Sequence, residues 1–257
     1  MSDQLLANLC PAFDAVVVGA TGAIGGAIVE ILLRESSAAR VTACARHARS
    51  VPALLALAQT HAPRLELCDL DLCDQASIDA LADQVGGRAL HLVVNAAGLL
   101  HADALAPEKS LAAVRLAHLQ QVFAVNAFGP VLLAQALLPF MRHDAPSVFA
   151  SLSARVGSIG DNRLGGWYAY RAAKAAQNQL LKTAAIEARR THPQLCVQIL
   201  HPGTVDSALS QPFQRGVAAE KLFLPQRAAR QLLAVVSSAK AEHSGRFLAW
   251  DGSEIAW

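Results

Sequence analysis

The sequence predicts an α/β fold: a Rossmann-type, doubly wound parallel sheet in a single domain. Three observations point there. Short apolar runs alternate with longer amphipathic stretches along the whole chain, the rhythm of βαβ crossovers. At 53% hydrophobic, 16% charged and 5% aromatic, the chain supplies a core of mostly Ala, Leu and Val, suited to helices packed on a sheet buried on both faces. Its 257 residues would allow one large domain or two small ones, yet no linker, repeat or low-complexity tract divides them.

In order, "DAVVVGA" (14–20) reads as the first strand, followed by a helix from Ile24 to Arg34. "RVTACA" (40–45) is the second strand, with a helix over Val51 to Thr60, and "RLELCDL" (64–70) the third, with "SIDALADQV" (77–85) as its helix. "ALHLVVNAAG" (89–98) is the fourth, followed by two long helices near 108–127 and 131–142. "SVFASLS" (147–153) is the fifth, and a long helix runs from Trp167 to Arg190. "LCVQILHPG" (195–203) is the sixth, then a helix over 225–238 and a short strand, "GRFLAW" (245–250). Such sheets bind ligands beyond the carboxyl ends of their strands, where strand order reverses.

Chemistry collects at those ends. "GATGAIGG" closes the first strand and opens the first helix, with Gly19, Gly22, Gly25 and Gly26 spaced by Thr21, Ala23 and Ile24. Glycine lets a backbone approach a pyrophosphate closely, and a helix N-terminus supplies N–H donors. After the second strand stands Arg46, where NAD binders place an acid. A guanidinium suits a 2′-phosphate, so the expected cofactor is NADPH in preference to NADH. "CDLDLCD" offers Asp69 and Asp71; Asp71, with Leu72 beside it, is the preferred acceptor for an adenine amino group, and a surface cap is the other reading. In "VVNAAG", Ala96, Ala97 and Gly98 let a cofactor lie flat, and Asn95 ties strands together as readily as it serves the site.

"YAYRAAK" (168–174) holds both tyrosines of the chain. Residues four apart share a helix face, so Tyr170 stands beside Lys174 and Tyr168 points elsewhere. A phenol must fall about 3 pKa units to exchange protons at neutral pH, roughly 4 kcal/mol. An ammonium at about 4 Å and an effective dielectric of about 20 supplies that much, so the lysine is expected to suffice.

Other classes are disfavoured. Net charge is +2 and basic clusters are short, unlike a nucleic-acid stripe. "PVLLAQALLPFM" is shorter than the roughly 20 residues of a membrane span, and "MSDQLLANLCPAF" lacks the features of a signal peptide. Cysteines 10, 44, 68, 73 and 196 have no zinc-like spacing, and no metal site is expected; they read as reduced thiols of a cytoplasmic protein.

With "GATGAIG", "NAAG", "VNAFG", "SLS", "YAYRAAK" and "HPGTV" in order, the chain resembles the short-chain dehydrogenase/reductase family along essentially its whole length. Within it, "RVGSIGDNRLGGWYAYRAAK", "HPGTVDSALSQPFQ" and "FLAWDGSEIAW" resemble the C-factor-like group. The resemblance implies a carbonyl reductase or alcohol dehydrogenase acting on a small ketone, aldehyde or alcohol, with Tyr170 as general acid. Lys174 would lower its pKa and bond the nicotinamide ribose, and Asn126 would hold a water in the proton relay. Ser153 would hold the substrate oxygen, although the long interval to Tyr170 leaves Ser158 open. Pro202 and Gly203 would pack on the nicotinamide, with backbone groups of Thr204 and Val205 at its carboxamide. Residues near 204–224 would form a substrate lid. A homodimer or homotetramer is implied, the long 167–190 helix serving either as its interface or as internal packing. Val18, Ala23 and Ala96 depart from the family pattern, where threonine, glycine and asparagine are usual. The alternative reading is a dinucleotide-binding signalling protein of the C-factor type with little turnover.

Overall fold

The computed structural model describes residues 5–257. Its strands are β1 (Asp14–Val18), β2 (Arg40–Ala45), β3 (Leu65–Asp69), β4 (Leu92–Asn95), β5 (Ser147–Leu152) and β6 (Leu195–His201), with two-residue strands β7 (Thr204–Val205) and β8 (Leu222–Phe223) and a last strand β9 (Arg246–Ala249). Its helices are α1 (Ala23–Glu35), α2 (Pro52–Thr60), α3 (Gln75–Val85), α4 (Leu116–Phe123), α5 (Gly129–Leu137), α6 (Tyr168–Ala188) and α7 (Pro225–Ser237). Seven strands form one sheet in the order β3-β2-β1-β4-β5-β6-β9, and every pairing is parallel. Strand order reverses between β1 and β4, which fixes where a ligand sits.

Alternation along β1 shows how the sheet divides its core. Ala15 and Val17 point into one cluster with Ile28 and Leu32 of α1 and Leu232 and Val236 of α7. Val16 and Val18 point into the other, with Ile78 and Leu81 of α3, Leu133 and Leu137 of α5, and Leu181 of α6. The central strand β5 is buried at all six positions, as a strand covered on both faces must be.

One expectation fails. The two helices expected near 108–127 and 131–142 are instead a single helical run over Leu116–Met141, preceded by loop and one short 3-10 turn at Leu111–Ala113. At Ala124–Phe128 the run loosens into a π-turn. Pro130 explains it: proline has no N–H to give the Asn126 carbonyl four residues back, and its ring crowds that carbonyl. The wider turn absorbs the proline without ending the helix. At 26 residues and a mean hydropathy of 1.7 the run is long and apolar enough to cross a membrane, so shortness does not exclude a span here. Leu133, Ala134 and Leu137 bury its inner side against the sheet.

Candidate active site

The glycine turn is built by contact between backbones. Gly19 has φ +84°, and a Cβ there would lie 2.8 Å from the Ala97 nitrogen and 2.9 Å from the Ala96 carbonyl carbon. A Cβ on Gly25 would lie 2.2 Å from the Gly19 oxygen. Both positions therefore require glycine. Gly22 is the N-cap of α1 and offers no side-chain cap to the first-turn amides, so those donors stay free for an anion. Thr21 and Gly22 are exposed, and Ala23 and Ile24 half-exposed, along the rim of this cradle.

Arg46 is exposed in the turn after β2. Burial and the Asp71 carboxylate push the Cys73 thiol up, while the Arg46 charge draws it down. Asp71 accepts from the Cys73 N–H at 2.9 Å through Oδ1. Leu72 behaves differently: it is buried, with its side chain against Gly129 of α5.

On the other side of the switch point the site is made of buried side chains. Asn95 stands opposite both Val18 and Ser151 in the sheet register. It donates to Ser151 Oγ at 3.0 Å and accepts from the Ala97 N–H at 3.2 Å, so it ties strands together and shapes the turn that carries Gly98. Ser151 Oγ also accepts from Gln177 Nε2 at 3.0 Å. Gln177 Oε1 in turn accepts from Lys174 Nζ at 2.9 Å, and Lys174 donates also to the Leu152 carbonyl at 2.8 Å. Asn126 Nδ2 donates to the Leu99 and Val122 carbonyls, and its Oδ1 accepts from the Leu99 N–H at 3.0 Å. Gly98 lies between the two groups: a Cβ there would be 3.3 Å from Asn126 Oδ1 and 3.9 Å from Lys174 Nζ.

Helix α6 brings these together because Tyr170, Lys174, Gln177 and Asn178 fall on its buried face. Tyr170 is 8% exposed and Tyr168 38%, so Tyr170 is the tyrosine that faces the lysine. Lys174 Nζ lies 5.8 Å from the Tyr170 ring centre. The expected acidification by lysine alone is not what this geometry produces. Burial pushes the Tyr170 phenol above its ordinary value, and burial lowers the Lys174 ammonium to about 7. Desolvation outweighs pairing, because both charged forms lose water in the same enclosed space.

Ser153 is buried and donates to Asn178 Oδ1 at 2.6 Å. Ser158 is buried too, and its Oγ accepts from the Asp161 N–H. After β6, Pro202 leads to Gly203, whose φ of +78° turns the chain and leaves no room for a Cβ beside Phe223 and Trp250. Thr204 and Val205 then pair in parallel with Leu222 and Phe223, closing the base of the excursion between them.

The buried tyrosine and lysine beside a glycine turn at a switch point form the arrangement of a dinucleotide oxidoreductase. A family model described as short chain dehydrogenase matches residues 14–218. The chain belongs to that family. It is an NAD(P)-dependent oxidoreductase acting on CH–OH or C=O groups, with a small-molecule substrate. Among curated relatives, "C-signal" of Myxococcus xanthus is 34% identical over 149 residues, 58% of this chain and 84% of that one. The 1-hydroxy-2-glutathionyl-2-methyl-3-butene dehydrogenase of Rhodococcus sp. (strain AD45) is 28% identical over 190 residues, 73% of this chain and 78% of that one. Among solved structures, the NADPH-bound carbonyl reductase from chicken fatty liver superposes with a TM-score of 0.84 at 27% identity, covering 96% of this chain and all of that one. The close approaches at Gly19, Gly25 and Gly98 and the free amides of α1 fit a dinucleotide laid across the carboxyl ends of β1 and β4.

Several residues of the site escaped sequence reasoning. Gln177 and Asn178 are one turn beyond Lys174, and continuing the helical period would have found them. Glu108 had no such signal. It is buried, its Oε2 accepts from the Ala169 N–H at 3.1 Å, and its carbonyl accepts from the Trp167 N–H. From a loop 61 residues upstream it caps the first turn of α6, which the left-handed residues Gly165, Gly166 and Trp167 lead into.

Proposed function

We propose that the protein is an NADPH-dependent carbonyl reductase, running in reverse as an alcohol dehydrogenase, on a ketone or aldehyde. The observation that carries this reading is the buried face of α6, where Tyr170 and Lys174 stand beside the end of β5. The glycine cradle would hold the pyrophosphate of the dinucleotide, whose nicotinamide would supply the hydride. The remaining work belongs to this chain. Tyr170, held protonated by burial, donates its proton to the carbonyl oxygen as negative charge grows there. Lys174 spends two donors on Leu152 and Gln177, which leaves the third proton of its ammonium to face the phenolate and a ribose hydroxyl. Ser153 turns from Asn178 to hold the substrate oxygen. Asn126, whose carbonyl lacks the donor that Pro130 cannot give, holds a relay water.

Arg46 supports NADPH, as a cation where an acid would select NAD; the chicken carbonyl reductase is NADPH-bound, and a 25% identical Burkholderia multivorans structure with a TM-score of 0.79 carries NADP. The test compares NADPH and NADH turnover across a ketone and aldehyde panel. Arg46→Ala should raise KM for NADPH about tenfold or more and leave KM for NADH in place; an unmoved preference would overturn the assignment. Ser153→Ala should lose more activity than Ser158→Ala. The exposed Phe128 on the 116–141 run and Ile186 on α6 support a homodimer through these helices, which light scattering would check.

The similarity to C-signal favours one other reading, a cofactor-binding signalling protein with little turnover. NADPH binding without oxidation across the whole panel would select it.

A further inference from the structure

Resting on the reductase reading, we propose that the substrate is an uncharged carbonyl compound bearing an aryl or similarly broad apolar group, and that Phe213 fills the place of that group in the closed protein. Tyr170 belongs to an apolar cluster of its own, apart from the two cores that flank the sheet. Its walls come from separate elements: Leu99 and Leu105 after β4, Phe123 of α4, Val156 after β5, and Leu209 and Phe213 from the excursion between β7 and β8. Phe213 meets Trp167 edge-on with ring centres 4.9 Å apart, and Trp167 meets Tyr170 edge-on at 6.3 Å. On its other side Phe213 lies 5.7 Å from the His101 ring, whose Nε2 is 3.2 Å from the Ala208 carbonyl. The tip of the excursion is thus tied across the mouth of the site.

Trp167 is a fixed platform. Its backbone sits at φ +51° and its N–H is bonded to the Glu108 carbonyl. In this proposal a carbonyl presented to Tyr170 places its substituent where Phe213 meets Trp167, and the incoming group must then replace the ring pairing between them. An aromatic pair is worth about 0.5–1.5 kcal/mol beyond its burial, which another ring recovers and a short aliphatic chain does not.

Charge is selected against. Arg171 donates to the Gly165, Gly166 and Val156 carbonyls, and Arg155 is paired with Asp161. Neither is free to meet an anion. Glu108 Oε1 is buried without a partner at the start of α6, an acceptor that disfavours a second one nearby. No side chain of this cluster carries a positive charge, so a carboxylate lodged in it, away from Lys174, would lose its water uncompensated.

The experiment measures kcat and KM with NADPH for acetophenone, 4-carboxyacetophenone and 2-butanone, together with quenching of tryptophan fluorescence by acetophenone. Acetophenone should exceed its carboxylated analogue by about 100-fold in kcat/KM. Phe213→Ala, in the excursion rather than the core, should lower KM for acetophenone several-fold, because nothing then has to be displaced. Acetophenone should quench the wild type and quench Trp167→Phe less. Equal turnover of the carboxylated analogue, or an unmoved KM in Phe213→Ala, would overturn the proposal. Failure of all three carbonyls would remove the reductase reading instead. The quenching then decides the pocket by itself, and its absence in the wild type overturns this inference as well.

Discussion

On the β1–β3 side of the switch point the site is made of backbone, and on the β4–β6 side it is made of side chains. Gly19 and Gly25 act by what they lack: each is the place where a Cβ would strike another stretch of main chain. Asn95, Ser151, Gln177 and Lys174 act by what they carry, a chain of hydrogen bonds running from the sheet into α6. In the proposed reading the first half would hold the dinucleotide's pyrophosphate on amides near the surface. In the same reading the second would place one proton to within bonding distance, which needs groups locked by neighbours in a dry interior. A backbone site fails by collision; a side-chain network fails by losing one member.

The sharpest test removes one atom from the side-chain half. Tyr170→Phe keeps the ring against Trp167 and deletes the proton. Carbonyl reduction should fall by about 10²- to 10⁴-fold while NADPH affinity, measured by fluorescence titration, stays put. Full turnover in this variant would end the assignment of the acid.

That the two halves differ also explains what the sequence could and could not reveal. Glycines after a strand are readable because only glycine meets the backbone requirement, and Tyr170 with Lys174 is readable because four residues make one turn. The all-parallel sheet follows from the alternation of elements, and each of its seven strands lies where an apolar run stands, whereas the two-residue strands β7 and β8 fall in the stretch read as a lid. Pro130 misleads, since proline usually marks a break, and a π-turn that absorbs it is a matter of packing. Ala169 and Glu108 could not be connected, because a contact across 61 residues leaves no local pattern. The sign of the Tyr170 shift was equally hidden. Pairing is visible as spacing, but burial depends on the walls that Leu99, Phe123 and Phe213 bring from distant segments.

A second test uses that sign. Lys174 is lowered to about 7 by burial, so its ammonium is complete well below neutrality and is lost as pH rises through that value. The Tyr170 phenol, pushed upward, keeps its proton over the same interval. Reduction therefore needs the form of Lys174 that disappears first. kcat/KM for the carbonyl should fall above about pH 7, approaching tenfold per pH unit. A rate that rises through this range would show that a different group controls the proton.

In the backbone half the effects are smaller and appear as stability. Gly25→Ala forces a Cβ against the Gly19 oxygen and should cost about 1–3 kcal/mol in denaturant unfolding, with weaker NADPH binding. Gly87→Ala is its control: φ is +77° but nothing lies within 4 Å, so only the backbone strain of about 1–2 kcal/mol applies and cofactor binding should be unaffected. If both variants behaved alike, collision would not be what the glycine turn depends on.

The smallest effect separates two helix starts within that same half. Helix α3 begins at Asp74, whose Oδ1 accepts from the Ala76 N–H at 3.1 Å, while α1 begins at Gly22 with no side-chain cap. Both follow a strand at the carboxyl edge of the sheet, so a purely structural rule would cap both. If α1 is left bare to receive phosphate, then its stability is recovered only when ligand binds, whereas α3 needs its cap at all times. Asp74→Ala should therefore lower stability by about 1 kcal/mol equally with and without saturating NADPH, and leave KM for the cofactor where it was. A loss that NADPH reverses would mean the ligand reaches α3 as well, and the division of labour between the two helix starts would have to be redrawn.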